Sequence, residues 1–452
     1  MNNLKLSFYG GTGVVTGANF LLESNNEKNL IDCGLFQGNR ITERKNRDPF
    51  PYNPSFIDFL FITHAHLDHI GRIPKLVKEG FRGRIYSTPA TKDLAELIMR
   101  DSMGIMKKEA KWNNEDVFYS AEDIDKAMEL WETASYNKDI DTKSFKIKFK
   151  NSGHILGSAM IEIDYKGKKI VFTGDLGNSP APLLNDSEIV DDADYLIMES
   201  VYGDRNHEHF TERTEKLKRI IKETMKIGGV LMIPVFSIER TQILLYELNN
   251  LIEKGIISNI PVFLDSPMAI KATMIYKKYE KLFNQNVKDI IKSGDDIFNF
   301  PCLKFTLETS ESKAINDVEN PKIIIAGSGM SNGGRIVHHE KRYLSDPKST
   351  LLIVGYQSIN TLGRKIQDGA TNVKIFGENV PIRAKIENIR GYSAHADSDD
   401  LVDFVKNTKK KVKKVFLTMG EPRVSNVLAN RLYKELNVDA VVPQEGEQTE
   451  LQ

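Results

Sequence analysis

Residues 59–76 read FLFITHAHLDHIGRIPKL: an apolar run, then three histidines and an aspartate within six positions, His64, His66, Asp68 and His69. A strand repeats every two residues, so His64 and His66 fall on one side as the strand ends. A turn into a helix then brings Asp68 and His69 to the same hollow. Four such groups crowded behind a buried strand would repel or sit unsolvated without a cation. Coordination explains the crowding, one loop supplying ligands to two neighbouring metal ions. Neutral imidazole and carboxylate suit Zn²⁺ best, while Mn²⁺ and Fe²⁺ also bind at nitrogen and oxygen sites.

One loop cannot complete two coordination spheres, and further candidates stand at other strand ends. NSGHILGSAM (151–160) places His154 in a glycine-flanked turn, and IVFTGDLGNS (170–179) places Asp175 just after a strand, where a carboxylate can bridge two ions. NLIDCG (29–34) ends a strand with Asp32, read as a group that holds the histidine loop and not as a ligand. Each alone also fits an ordinary turn.

Composition bounds the setting. At 452 residues the chain can build two or three domains, and its two cysteines, Cys33 and Cys302, have no CxxC spacing. That fits a reducing, cytoplasmic location and excludes a thiolate zinc site. The N-terminus alternates like a strand, lacks a cleavable-signal pattern, and no later segment is apolar enough to span a bilayer, so a soluble protein without a membrane partner is expected. Formal net charge is zero. A nucleic-acid partner would be gripped by a local basic cleft.

Residues 4–90 read as short strands joined by Gly, Asn and Pro turns, and residues 91–137 as helical, with Trp112 and Trp131 expected in the core. Strands return up to YLIMES (195–200), including a hairpin on Lys166-Gly167. From about 203 to 384 strands alternate with helices of ten to fifteen residues, the rhythm of a parallel α/β domain. The tail is again strand, loop and helix.

The order LIDCG, THAHLDH, SGHILGS, FTGDLG resembles the metallo-β-lactamase superfamily, and YLIMESVYGDR, SGMSNGGR, GYQSINTLGR and SAHAD resemble its β-CASP branch, nucleases similar to the prokaryotic relatives of the pre-mRNA 3′-end cleavage subunit. The resemblance implies an α/β fold: an αββα sandwich with an inserted β-CASP α/β domain and the active site in the cleft between them. The expected parts are residues 1–203 and 385–452 for the sandwich and 204–384 for the insertion. It implies His64, His66 and His154 on one zinc, Asp68 and His69 on the other, Asp175 bridging, and Glu199 with His395 as a second acid/base pair. The implied activity is zinc-dependent, endonucleolytic hydrolysis of single-stranded RNA. Members of the branch are often homodimers.

Substrate contacts are expected from the inserted domain. Ser328, Ser331, Gly333, Gly334 and Arg335 lie in a glycine-rich strand-to-helix turn whose N–H groups suit phosphate, and Thr361, Arg364 and Ser393 are further candidates. Arg240 and Ser266 are weaker ones, Glu239 standing where the branch has glycine. His207, His209, His338 and His339 are expected on loop and helix surfaces, and the lysine-rich stretch 406–414 as a solvated helix end. One position departs from the branch: VFLTMGEP (415–422) carries Met419 where the RNA-directed members have a zinc-binding histidine. A thioether is a poor partner for Zn²⁺ among hard ligands, so the second ion is expected to bind more weakly. Met419 also keeps two alternatives open, a catalytically weak RNA-binding subunit and a DNA-directed β-CASP nuclease. A glyoxalase-II-type hydrolase shares THAHLDH but gives no use for the insertion or for His395.

Overall fold

The computed structural model describes residues 4–38, 40–358, 360–408 and 412–452. Ile359 of the GYQSINTLGR motif and residues 409–411 of the lysine stretch lie outside them. The chain forms two units, residues 1–206 with 395–452, and residues 207–394.

The first unit contains two seven-stranded sheets. One runs Gln448–Glu450, Lys5–Gly10, Asn19–Ser24, Glu27–Ile31, Phe59–Phe61, Arg84–Ser87, Trp131–Thr133, and the other Ala440–Val441, Lys414–Thr418, Tyr195–Glu199, Lys168–Phe172, Ala159–Tyr165, Lys146–Asn151, Asp139–Asp141. Period-two alternation makes the sandwich. Tyr195 and Ile197 face the core between the sheets with Phe8, Phe20, Phe61 and Phe172, while Leu196 and Met198 face a second core with Leu401, Val405 and Leu428 of helices Ser398–Lys406 and Pro422–Leu436. A strand covered on both faces reads as a continuous apolar run, which is why YLIMES does. The expected αββα layering is present. The hairpin turns on Lys166 and Gly167 at φ 54° and 84°, as a two-residue turn requires.

The second unit is built on a six-stranded sheet in which every pairing is parallel, ordered Leu303–Phe305, Val262–Asp265, Lys322–Ala326, Val230–Pro234, Thr350–Ile353, Lys385–Asn388. This unit runs from 207 to 394, beside the domain bounds of 204 and 384 expected from the sequence. Strand Lys385–Asn388 pairs with Thr350–Ile353, Arg213 donates to the Gly391 carbonyl (2.9 Å), and the Tyr392 hydroxyl bonds Glu247. Those bonds hold the segment through Tyr392 in the second unit. Trp131 is buried, whereas Trp112, expected in the core, is 90% exposed near the end of helix Pro89–Asn113. Its position continues the helical spacing, but its side chain lies on the solvent side near the helix end.

Candidate active site

Strand Phe59–Phe61 pairs in parallel between Glu27–Ile31 and Arg84–Ser87, so its C-terminal end opens among neighbouring loops. His66 is the N-cap of the short helix Leu67–Ile70, which sets Asp68 and His69 one turn further on. Asp32, in left-handed backbone at φ 57°, anchors the whole loop. Its carboxylate accepts from the Thr63 amide and hydroxyl, both at 2.8 Å, and lies 2.7 Å from Nδ1 of His69. A proton on Nδ1 leaves Nε2 as the lone-pair nitrogen aimed into the site. Gly174, at φ 54°, is needed there: a Cβ would come within 2.6 Å of the Thr63 side chain. It delivers Asp175 directly opposite the histidine loop.

The donors converge. Nδ1 of His66 lies 3.1 Å from Nε2 of His64 and 3.2 Å from Nε2 of His154, and Asp175 Oδ2 lies 3.4 and 3.5 Å from those two Nε2 atoms. Four donors about 2.0–2.2 Å from one tetrahedral centre stand about 3.3–3.6 Å apart, so this spacing fits a zinc-sized cation. On the other side of Asp175, its Oδ1 faces His69 Nε2 at 3.4 Å, with Asp68 Oδ2 3.9 Å from the same nitrogen. Both Asp175 Oδ1 and His69 Nε2 are buried without a hydrogen-bond partner. Buried orphans facing each other are costly unless a cation lies between them.

A third grouping shares Asp175. Glu199, ending strand Tyr195–Glu199, accepts from the Leu176 amide (2.6 Å) and meets His395 Nδ1 at 3.1 Å, and that nitrogen lies 3.8 Å from Asp175 Oδ2. Asp175, Glu199 and His395 could themselves hold a cation, so two candidate metal-ligand clusters meet at one carboxylate.

The electrostatics match a cation-binding role. Burial, then the neighbouring imidazoles, pushes His66 and His154 well below the usual histidine range, and burial lowers His64 as well. Neutral imidazole is the ligating form. His69 goes the other way: burial opposes it, but the carboxylates of Asp175 and Asp32 raise it well above its ordinary value. Asp175 is held well below the carboxylate range by His69 and His64 despite its burial, while burial raises Asp68 and Glu199.

Met419 is buried at φ 49°, its amide donating to the Gly11 carbonyl (2.6 Å). It packs in the core with Phe20 and, with His69, Asp32 and Thr63, lines a closed space of about 10 Å³.

Family models for the metallo-β-lactamase superfamily domain match residues 21–201, for the Beta-Casp domain residues 241–366, and for the Zn-dependent metallo-hydrolase RNA specificity domain residues 379–443. A Thermus thermophilus protein named as a ribonuclease is 36% identical over 92% of this chain and 91% of its own length. The chain belongs to the β-CASP group of the metallo-β-lactamase superfamily. An RNase J-like protein of Methanocaldococcus jannaschii is 34% identical over 98% of both chains. A crystal structure of an Enterococcus faecalis protein of unknown function matches 99% of this chain and 100% of its own at 13% identity and TM-score 0.58, a likeness of fold.

In the second unit of this β-CASP chain, the residues expected to touch phosphate have internal partners. Arg335 donates to Asp265 Oδ1 and the Thr306 carbonyl, both at 2.8 Å, and to the Leu307 carbonyl (2.7 Å). Arg364 pairs with Asp368 at 2.9 Å, and Thr361 caps helix Leu362–Gln367. Ser331 donates to Glu340 (2.5 Å), Ser328 bonds the Gly333 carbonyl (3.4 Å), and Ser393 is buried. Gly334 has φ +73°, and a Cβ there would meet the Gly327 carbonyl at 2.2 Å. Arg240 lies over the Phe236 ring, and Ser266 caps helix Pro267–Lys278. His339, expected on a helix surface, is instead buried against Asp265 at 2.7 Å, because that strand-ending carboxylate draws the imidazole inward. His209 is exposed and His207 half-buried, and neither joins a metal cluster among the described residues. Sequence reasoning missed Thr63, Ser158 and Asp265. Ser158 accepts from the His154 amide (3.1 Å), and its signal was present as the serine of GHILGS.

Proposed function

We propose that this chain is a zinc-dependent ribonuclease that hydrolyses single-stranded RNA endonucleolytically, leaving 5′-phosphate and 3′-hydroxyl ends. The observation that carries it is one carboxylate, Asp175, common to a histidine cluster and to the Glu199–His395 pair. Zinc ions bound there supply positive charge for the phosphate oxygens and acidify a water to a pKa of about 7. His64, His66 and His154 with Asp175 would hold one ion, and Asp68 and His69 on the other side of Asp175 would hold the second. Asp32 keeps His69 in the ligating tautomer. The water gives up one proton to solvent, its oxygen bonds to phosphorus as the P–O3′ bond breaks, and the departing oxygen takes a proton from His395, which solvent restores. Glu199 holds Nδ1 of that imidazole, so Nε2 is the nitrogen that passes the proton. Free cysteines, Cys33 buried and Cys302 half-buried, fit a reducing, cytoplasmic setting, and the described residues include no helix long and apolar enough to cross a membrane. A homodimer belongs to the same proposal.

Zinc-loaded protein is expected to cut labelled single-stranded RNA internally. Degradation of DNA with RNA left intact would transfer the assignment to a DNA-directed nuclease. The buried, apolar placement of Met419 favours one other reading, an RNA-binding subunit with weak catalysis, which binding without turnover at saturating zinc would establish.

A further inference from the structure

We propose that the second unit carries a subsite for one nucleotide of single-stranded RNA, in the cavity between residues 331–334 and the hairpin Asn372–Ile375/Glu378–Pro381. The ligand class rests on the ribonuclease reading, and the site rests on its own geometry. The cavity measures about 560 Å³, within the range of small-ligand sites. Its floor is apolar and buried, formed by Val337, Val373 and Ile375. Around it stand Asn332, Asn360, Asn372, Lys365, Lys374 and Phe376.

Three features select a nucleotide. None of the described lining residues is acidic, and the nearby carboxylates are committed elsewhere, Asp368 to Arg364 (2.9 Å) and Glu378 to Lys341 (2.7 Å). Lys365 and Lys374 are thus cations without a counter-ion among the described residues, suited to phosphates on either side of a base. The amides offer both donors and acceptors to a base edge, and Asn332 is fixed by the Leu362 amide donating to its Oδ1 (3.0 Å), which leaves its NH₂ to donate. Phe376 supplies the flat face. It is 58% exposed and sits at φ +50° in the hairpin turn, where chains prefer Asn, Asp or Gly. An aromatic there strains the backbone and gains little burial, so stability does not account for it, whereas stacking on a base does. The His338 ring meets it at 4.6 Å between centroids, extending the platform.

The test uses the full chain freed of metal by a chelator, so that cleavage is off, and the fluorescence anisotropy of a labelled oligouridylate. Phe376→Asn suits the turn and is expected to melt at the same temperature or higher, yet to bind about tenfold more weakly. Phe376→Tyr is expected to bind as wild type. Replacing Lys365 and Lys374 with Ala together is expected to flatten the log K against log salt slope by about 1.4. Wild-type binding by Phe376→Asn with an unchanged salt slope in the lysine variant would overturn the subsite while leaving the ribonuclease standing. Failure of the metal-free wild-type chain to bind the oligonucleotide would likewise overturn the subsite, and the ribonuclease reading would still stand or fall on cleavage by the zinc-loaded chain.

Discussion

Asp32→Asn is the sharpest probe of how this site is held. The carboxylate uses Oδ1 for the Thr63 amide and Oδ2 for both the Thr63 hydroxyl and His69 Nδ1, at 2.8, 2.8 and 2.7 Å. Asparagine keeps the shape and tolerates the left-handed backbone at φ 57°, so the fold should survive. With its oxygen on the Thr63 amide, its NH₂ faces Nδ1 of His69. Two donors cannot share that contact, so the imidazole must move its proton to Nε2, the atom aimed at Asp175 Oδ1 3.4 Å away. A protonated Nε2 cannot ligate. Loss of such a supporting partner costs about 10–100-fold in metal affinity, or about 1.4–2.7 kcal/mol. The ion held by Asp68 and His69 should suffer most, because His69 bonds Asp32 directly whereas His64 reaches it only through the Thr63 hydroxyl (3.1 Å). Zinc titration against a competing chelator, with elemental analysis of the dialysed protein, should show one site weakened well beyond the other. Two sites of wild-type affinity in Asp32→Asn would refute the tautomer argument.

Glu199→Gln keeps the Leu176 contact but removes the acceptor facing His395, so kcat on RNA should fall about 10²–10⁴-fold with both zinc ions retained and KM little changed; a rate within threefold of wild type would remove His395 from proton transfer. Met419→His should tighten the weaker zinc at least tenfold in the same titration, and an unchanged affinity would show that the position cannot reach the site. Asp265, buried against His339, Thr306, Ser312 and Arg335, is held at about 2 despite burial working the other way. A lowered folded-state value contributes stability above the unfolded value of about 3.9 that is lost as pH falls toward 2, some 2–3 kcal/mol in all. The gap in urea midpoint between wild type and Asp265→Asn, measured without metal, should therefore be full at pH 5 and close between about pH 4 and 2. A gap that does not change with pH would contradict this.

Legibility followed the range of the interaction. The sandwich was visible because YLIMES and its neighbours are apolar on both faces, and the candidate metal cluster was visible because HAHLDH is too polar to follow a buried strand for any ordinary reason. Trp112 was misplaced because helical spacing does not say which side chains near a helix end face solvent, and it stands 90% exposed. His339 was misplaced because its partner, Asp265, lies 74 residues away in the chain. The same distance problem hid the commitments of Arg335: a guanidinium after a glycine-rich turn reads as a phosphate ligand until the buried carboxylate beneath it is known. The sheet partner of residues 385–388 was hidden for a related reason, since IENIRGY gives no local sign that its strand pairs with Thr350–Ile353.

The orphaned atoms say which of two bound ions would be held less firmly. His64, His66 and His154 lie within hydrogen-bonding range of one another or of Asp175, so their site is nearly assembled before a cation arrives. On the other side, His69 Nε2 and Asp175 Oδ1 have no partner, and Asp68 must be charged although burial raises it toward the neutral form. Binding there must displace the proton that Asp175 and Asp32 favour on His69 and ionise Asp68 against the burial that raises it, and no histidine at position 419 shares the load. The Met419 side chain instead fills core beside Phe20, exchanging a ligand for apolar packing. The second ion is therefore the one that mild chelation or mild acid removes first, and because both halves share Asp175, its loss leaves the bridging carboxylate with one cation in place of two. Cleavage should then track occupancy of the weaker site, with half-maximal activity at a zinc concentration well above that which fills the histidine cluster; a single shared midpoint for metal uptake and activity would mean that Met419 costs the site nothing.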